Sequence, residues 1–242
     1  MKIFIAQNPK ELGKMAADKA EACINAAIRQ NGNARILLAT GQSQFETLEE
    51  LVNKSIDWSK VEGFHLDEYL GLAGDHPASF RRYLFDRFVS RTKLKKMYYI
   101  EGDGNIPEII AELTKSIREA PVDIGLVGIG ENAHIAFNDP PADFESAEAY
   151  KVVELDNECR RQQFREGWFR TPEEVPSHAI SMTVKEILKC KTIVSSVPHK
   201  VKANAVKRTL QNKVSEYTPA TILKTHGDWN LYLDENSSSL IK

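Results

Sequence analysis

The chain has 242 residues, 42% hydrophobic and 27% charged, enough for one large or two small globular domains. Its 34 acidic and 32 basic side chains leave a formal charge of -2, which gives no electrostatic footprint for nucleic acid and leaves room for a local anion pocket. Three scattered cysteines (Cys23, Cys159, Cys190) lack metal or redox spacing and fit a reducing compartment, so a cytoplasmic protein is expected.

The opening run Lys2–Ala6 reads as a strand, too short for a signal-peptide core or a membrane span. An amphipathic stretch, Asn8–Gln30, follows, then a strand at Arg35–Thr40 and a helix at Ser43–Asn53. Further strands are expected at Glu62–Leu66, Met97–Ile100, Asp123–Gly128, Thr192–Val197 and Asn230–Leu233. Helices are expected at Pro77–Val89, Pro107–Arg118, Val184–Lys189 and Val201–Gln211, with Pro77 and Pro107 in first turns. Runs such as Ile36-Leu37-Leu38-Ala39 are apolar on both faces, as strands covered by helices on both sides tend to be. The alternation predicts one α/β domain over 1–242, an open, mostly parallel Rossmann-like sheet with helices on both faces. The least regular stretch, 151–176, reads as a lid or an insertion.

In such sheets ligands sit beyond the carboxyl ends of the strands, and three segments there carry reactive residue types. Thr40-Gly41-Gln42-Ser43-Gln44 joins a strand to a helix; it suits an anion held by backbone amides, or simply a tight turn with Ser43 as N-cap. Phe64-His65-Leu66-Asp67-Glu68-Tyr69 places two adjacent carboxylates at a strand end, candidates for a general base or a helix cap; a metal at His65 and Asp67 would lack further ligands at a clear spacing. Gly128 to Pro141 lacks the third glycine of a dinucleotide loop and instead clusters Asn132, His134, Asn138 and Asp139. Lys202, at the start of the helix after Thr192–Val197, is a candidate point charge for a phosphate.

Taken in order, these segments resemble the glucosamine-6-phosphate deaminase/isomerase family over essentially the whole chain. The resemblance rests on Thr40–Gln44, on Asp67-Glu68-Tyr69 with Gly71-Leu72 and Pro77-x-Ser79-Phe80, and on the run Gly128–Pro140. It implies that Asp67 is the base for carbon 2 of the open-chain sugar. His134 assists ring opening, oriented by Asp139 and Asn132. Thr40, Gly41, Gln42, Ser43, Gln44, Arg165 and Lys202 hold the phosphate, and Glu68, Gly130 and Ala133 complete the pocket. No cofactor and no metal is implied, and the partner is a small sugar phosphate rather than nucleic acid or membrane. Three departures stand out: Asp139 where the family has Glu, Ala133 where it has Gly, and Gln42 and Gln44 in the phosphate loop. They leave open galactosamine 6-phosphate as substrate. 6-Phosphogluconolactonase is the enzymatic rival, though Tyr69 and Ile135-Ala136-Phe137 depart from its pattern; a catalytically silent sugar-phosphate sensor is the rival from another class. The segment after Pro141 lacks the paired serines of allosterically regulated hexamers, so a monomer or small homo-oligomer is expected.

Overall fold

Seven parallel strands make the central sheet of the computed structural model, which describes Met1–Ile241. In chain order these are β1 (Lys2–Ala6), β2 (Ala34–Leu38), β3 (Val61–His65), β5 (Lys96–Tyr98), β6 (Ile124–Leu126), β9 (Thr192–Val197) and β10 (Trp229–Asp234). Their spatial order is β1-β10-β9-β6-β2-β3-β5. All seven sit where the apolar runs place them. Because successive side chains alternate across a strand, the runs inside the sheet feed two cores. Leu37 packs with Phe64, Val127 and Ile193 on one face, while Ile36 and Leu38 pack with Val61, Ile124 and Leu126 on the other.

Helices α1 (Pro9–Asn31), α2 (Phe45–Val52) and α3 (Phe80–Arg87) cover the second face. The first is covered by α4 (Ile106–Arg118), α6 (Val184–Ile187) and α7 (Ala203–Gln211). The stripe Ala16, Ala17, Ala20, Ala27 lets α1 lie close to the sheet. Gly13 lets it lie close to α2: a methyl there would meet the Glu46 Cβ at 2.5 Å and its backbone carbon at 2.6 Å. Since α2 follows the phosphate-loop candidate, this crossing sets where that loop stands.

A second, antiparallel sheet was not legible in the sequence. It contains β4 (Asp67–Tyr69), β8 (His178–Met182) and β7 (Tyr150–Glu154), in the order β4-β8-β7. The segment 151–176 is thus less irregular than expected: it opens in β7 and continues into α5 (Asn157–Arg165), capped by Asp156, whose carboxylate accepts from the Cys159 amide at 2.6 Å. Three helix starts also differ: α7 begins at Ala203 rather than Val201, after a 3-10 turn at Lys200–Lys202. Helix α3 begins after Ser79 rather than at Pro77, because the Ser79 hydroxyl accepts from the Arg82 amide. Ser43 caps nothing: Gln42–Gln44 form one turn of 3-10 helix, and α2 starts at Phe45. No helix among the described residues is long and apolar enough to cross a membrane.

Candidate active site

Strand order turns outward in both directions from the pair β2 and β6, the switch point at which open α/β sheets bind ligands. A cleft opens there, walled by Thr40, Gly41 and Ser43 after β2 and by Gly128–Gly130 after β6. Asp67, His134 and Lys202 all reach it, so three elements distant in sequence converge on one space.

Asp67 and Glu68 are neighbours that do different work. Alternation along β4 turns them to opposite sides. Glu68 is fully buried away from the cleft and accepts from the Ser79 hydroxyl at 2.8 Å and from the amides of Tyr69, Phe80 and Arg81 at 2.8–3.1 Å. It therefore organises the start of α3, and its expected place in the substrate pocket is corrected to a capping role. Asp67 faces the cleft almost without exposure, and its Oδ1 has no hydrogen-bond partner. Burial, and secondarily the charge of Glu68, pushes its pKa from 3.8 to about 8. His65 does not join it. Its Nδ1 accepts weakly from the Ile100 amide at 3.4 Å, and burial drops its pKa to about 3, so the ring stays neutral.

His134 is braced by its own loop. Its amide donates to Asn132 Oδ1 at 2.9 Å, and Asn132 Nδ2 donates to Asp139 Oδ1 at 3.1 Å. The ring Nδ1 stands 2.9 Å from Asp139 Oδ1, so the shorter aspartate still reaches, although the contact is not aligned as a good hydrogen bond. Burial would raise the Asp139 pKa, but His134, Asn132 and the Asp156 amide together hold it below the usual value. Asn132 and Asp139 stand behind the histidine rather than on the cleft wall, and Asn138 pins the loop to β8 by donating to the Met182 carbonyl at 2.9 Å. Donor atoms of His134, Asp139 and Cys159 lie within 4.8 Å of one another, but burial pushes the Cys159 thiol well above its ordinary pKa and keeps it protonated.

Gly130 is needed where it stands. A Cβ there would lie 2.2–2.5 Å from the His134 ring atoms Nε2, Cε1 and Cδ2. Gly130→Ala is expected to displace the ring and lower kcat/KM at least tenfold, as ~1 Å errors in positioned groups do, while the melting temperature moves by only a few degrees. Steady-state kinetics beside a melting curve checks this. Ala133, by contrast, is corrected from pocket wall to loop core: it adopts φ 71°, is fully buried, and packs in the apolar cluster. Its left-handed backbone costs roughly 1–2 kcal/mol and its buried methyl returns about 0.8, so the departure from glycine carries a net cost of at most about 1 kcal/mol.

At the other end of the cleft Gly41 takes φ 92°, a conformation open to glycine, and its carbonyl accepts from the Tyr83 hydroxyl at 2.9 Å. Lys202, in a 3-10 turn (Lys200–Lys202) after β9, is buried. Its pKa is lowered by desolvation against the opposing pull of Glu166 and Glu131. No carboxylate among the described residues closes to within 4.0 Å of its ammonium, so the charge is available to an incoming anion. The remaining expected phosphate ligands are placed otherwise. Gln42 donates to the Glu166 carbonyl at 3.0 Å, and Gln44 turns inward to Ser43 Oγ and the Ser196 carbonyl. Arg165 is half exposed, pairs with Glu131 at 2.6 Å and lies off the cleft wall.

Sequence reasoning missed Gln162, Gln163, Phe80 and Phe137, which also line the cleft. The only signal for the glutamines was the Asp156 cap that starts their helix.

Fold and cleft together define the class, a Rossmann-like α/β protein with a polar cleft at the strand carboxyl ends. Comparison with known proteins gives the family. Residues 7–231 match the family described as glucosamine-6-phosphate isomerases/6-phosphogluconolactonase, and the chain belongs to it. A glucosamine-6-phosphate deaminase of Streptococcus pneumoniae is 32% identical over the full length of both chains. The solved structure of a monomeric glucosamine-6-phosphate deaminase superposes with a TM-score of 0.90 at 29% identity, covering 99% of this chain and 100% of the other. A 6-phosphogluconolactonase of Thermotoga maritima shares the fold at a TM-score of 0.79 and 14% identity, covering 96% and 98%.

Proposed function

We propose that this enzyme converts glucosamine 6-phosphate and water to fructose 6-phosphate and ammonia. The observation that carries the reading is the convergence of Asp67, His134 and Lys202 on one cleft. The phosphate binds the Thr40–Ser43 loop and Lys202, which anchors the far end of the sugar and positions carbons 1 and 2. His134, held by Asp139 and Asn132, moves the proton that opens the ring. Asp67 then takes the carbon-2 proton, leaving an enolamine. Return of a proton to carbon 1 gives an imine at carbon 2, and water replaces its nitrogen to release ammonia and the ketose. Every step is proton transfer or hydrolysis, chemistry that these side chains supply.

Galactosamine 6-phosphate fits the same scheme, because the change at carbon 4 is remote from the reacting atoms. A lactonase would need no base toward carbon 2, and a sensor would not need the desolvated Asp67. The 32% identical deaminase supports the amino-sugar reading, and the monomeric relative supports a monomer. We extend the proposal to a cytoplasmic enzyme of one domain, in which the segment 151–176 covers the cleft through Gln162 and Gln163. The test is coupled measurement of ammonia and fructose 6-phosphate from glucosamine 6-phosphate, with the galactosamine epimer and 6-phosphogluconolactone as competitors. Equimolar products support the assignment; turnover of the lactone alone overturns it.

The charge state of Asp67 gives the reading a pH signature. A base must be ionised, and its pKa stands near 8 in the free enzyme. Thus kcat/KM is expected to rise about tenfold per pH unit well below 8 and to level above it. A profile already flat between pH 6 and 8 would assign the base elsewhere.

A further inference from the structure

Resting on the amino-sugar phosphate reading, we propose that Gln163 is a specificity-determining residue that donates a hydrogen bond from Nε2 to a mid-chain hydroxyl of the sugar, at carbon 3 or carbon 4. Gln163 lies in α5, is 5% exposed, and lines the cleft with Asp67 and His134. Its amide has one available orientation. Tyr69, fully buried on β4, donates its hydroxyl proton to Gln163 Oε1 at 2.8 Å. That oxygen is the only acceptor the hydroxyl has among the described residues, and turning the amide over would strand a buried O–H. Burial pushes the Tyr69 pKa well above its ordinary value, so the hydroxyl remains a donor at any working pH.

With Oε1 occupied, the NH₂ end has no hydrogen-bond partner among the described residues, yet it is not sealed from the cleft. A group so held is a pure donor and selects for an oxygen acceptor. The neighbouring Gln162 shows the contrast. Its Oε1 accepts from the Glu131 amide at 3.1 Å and its Nε2 donates to Glu166 Oε1 at 2.9 Å, so both ends are spent on structure. Placement along the sugar follows from the strand. Tyr69 is two residues beyond Asp67 and on the same face of β4, which ties the anchored amide to the strand that carries Asp67. The carbon-2 ammonium offers no acceptor, which leaves the hydroxyls next along the chain. The surrounding wall is aromatic: the Tyr69 ring packs against Phe80 and Phe137 at 4.9 and 5.4 Å, and both of those rings reach the cleft. A site built around a donor discriminates strongly against a substrate that lacks the acceptor.

The experiment compares wild-type enzyme, Gln163→Leu and Tyr69→Phe on glucosamine 6-phosphate, its 3-deoxy and 4-deoxy analogues and the galactosamine epimer. Gln163→Leu is expected to lose about tenfold or more in kcat/KM on the parent sugar and less than twofold on the deoxy analogue lacking the contacted hydroxyl. Tyr69→Phe, which frees the amide to turn, is expected to show the same pattern in weaker form. Equal losses of Gln163→Leu on every substrate indicate a structural role and overturn the proposal, as does a loss below twofold on the parent. Absence of wild-type turnover would count against the amino-sugar reading. In that case calorimetric affinities for fructose 6-phosphate and its deoxy counterparts are compared in the same three proteins, and the same pattern decides on Gln163.

Discussion

Asp67→Asn is expected to lower turnover of glucosamine 6-phosphate by about a thousandfold or more, the upper range for loss of a general base, and at the same time to stabilise the fold. The two effects have one origin. The carboxylate is held in the cleft with Oδ1 unpartnered, which raises its pKa from 3.8 to about 8. A raised carboxylate pKa means that the folded state disfavours the charge. The penalty is absent below pH 3.8, grows between pH 3.8 and 8, and is complete above 8. At 1.36 kcal/mol per unit the ceiling is large, but water entry and relaxation reduce it, so a gain on the order of 2 kcal/mol is expected at pH 8.5. In a chain of this size that is roughly 4–8 °C in Tm. Melting curves of both proteins at pH 5 and pH 8.5 check the sign, since the gap must widen with pH. A variant that keeps a tenth of its activity, or a gap that shrinks as pH rises, would remove Asp67 from the role. A stability cost of this kind, accepted where chemistry needs it, is the usual stability–activity trade-off.

Lys202→Met is expected to lower kcat/KM about a hundredfold, the loss typical of a buried charge-assisted contact to an anion. Inorganic phosphate should inhibit the wild-type protein and lose most of its effect on the variant. The side chain is buried, and burial lowers its pKa, so the folded state disfavours the ammonium just as it disfavours the Asp67 carboxylate. The sign in pH is reversed. The penalty is present below the unfolded pKa of about 10.4 and disappears above it, so the methionine variant should be at least as stable as wild type at pH 7. Unchanged inhibition by phosphate in Lys202→Met would move the anion site to the Arg165–Glu131 rim. There the guanidinium is already paired and exposed, and screening leaves it little to offer.

The cleft thus holds groups at a cost to the fold. Lys202 is buried against the pull of desolvation, Asp67 Oδ1 has no hydrogen-bond partner, and Gly130 leaves the room that the His134 ring fills. These are the places where local stability rules are broken, which is where function is expected.

Much of this was determined by the sequence alone. Doubly covered strands must be apolar on both faces, so the inner runs of the main sheet announced themselves, and the segments after β2, β3, β6 and β9 held Gly41, Asp67, His134 and Lys202. Local alternation and strand ends suffice for that. The second sheet was not legible, because β4 is three residues long and pairs with β8 more than 100 residues away. A contact of that range leaves no periodic trace in either partner. The division of labour between Asp67 and Glu68 is likewise tertiary: two adjacent carboxylates are equivalent in a sequence until α3 claims one and the cleft the other. Gln163 was missed for the same reason, as its role depends on a tyrosine 94 positions earlier turning its amide toward the cleft. What the sequence determined is the set of groups at the carboxyl end of the sheet. Which of them stand free and which are consumed by the fold was decided by packing, because burial and hydrogen-bond satisfaction belong to the folded surroundings and not to the residue.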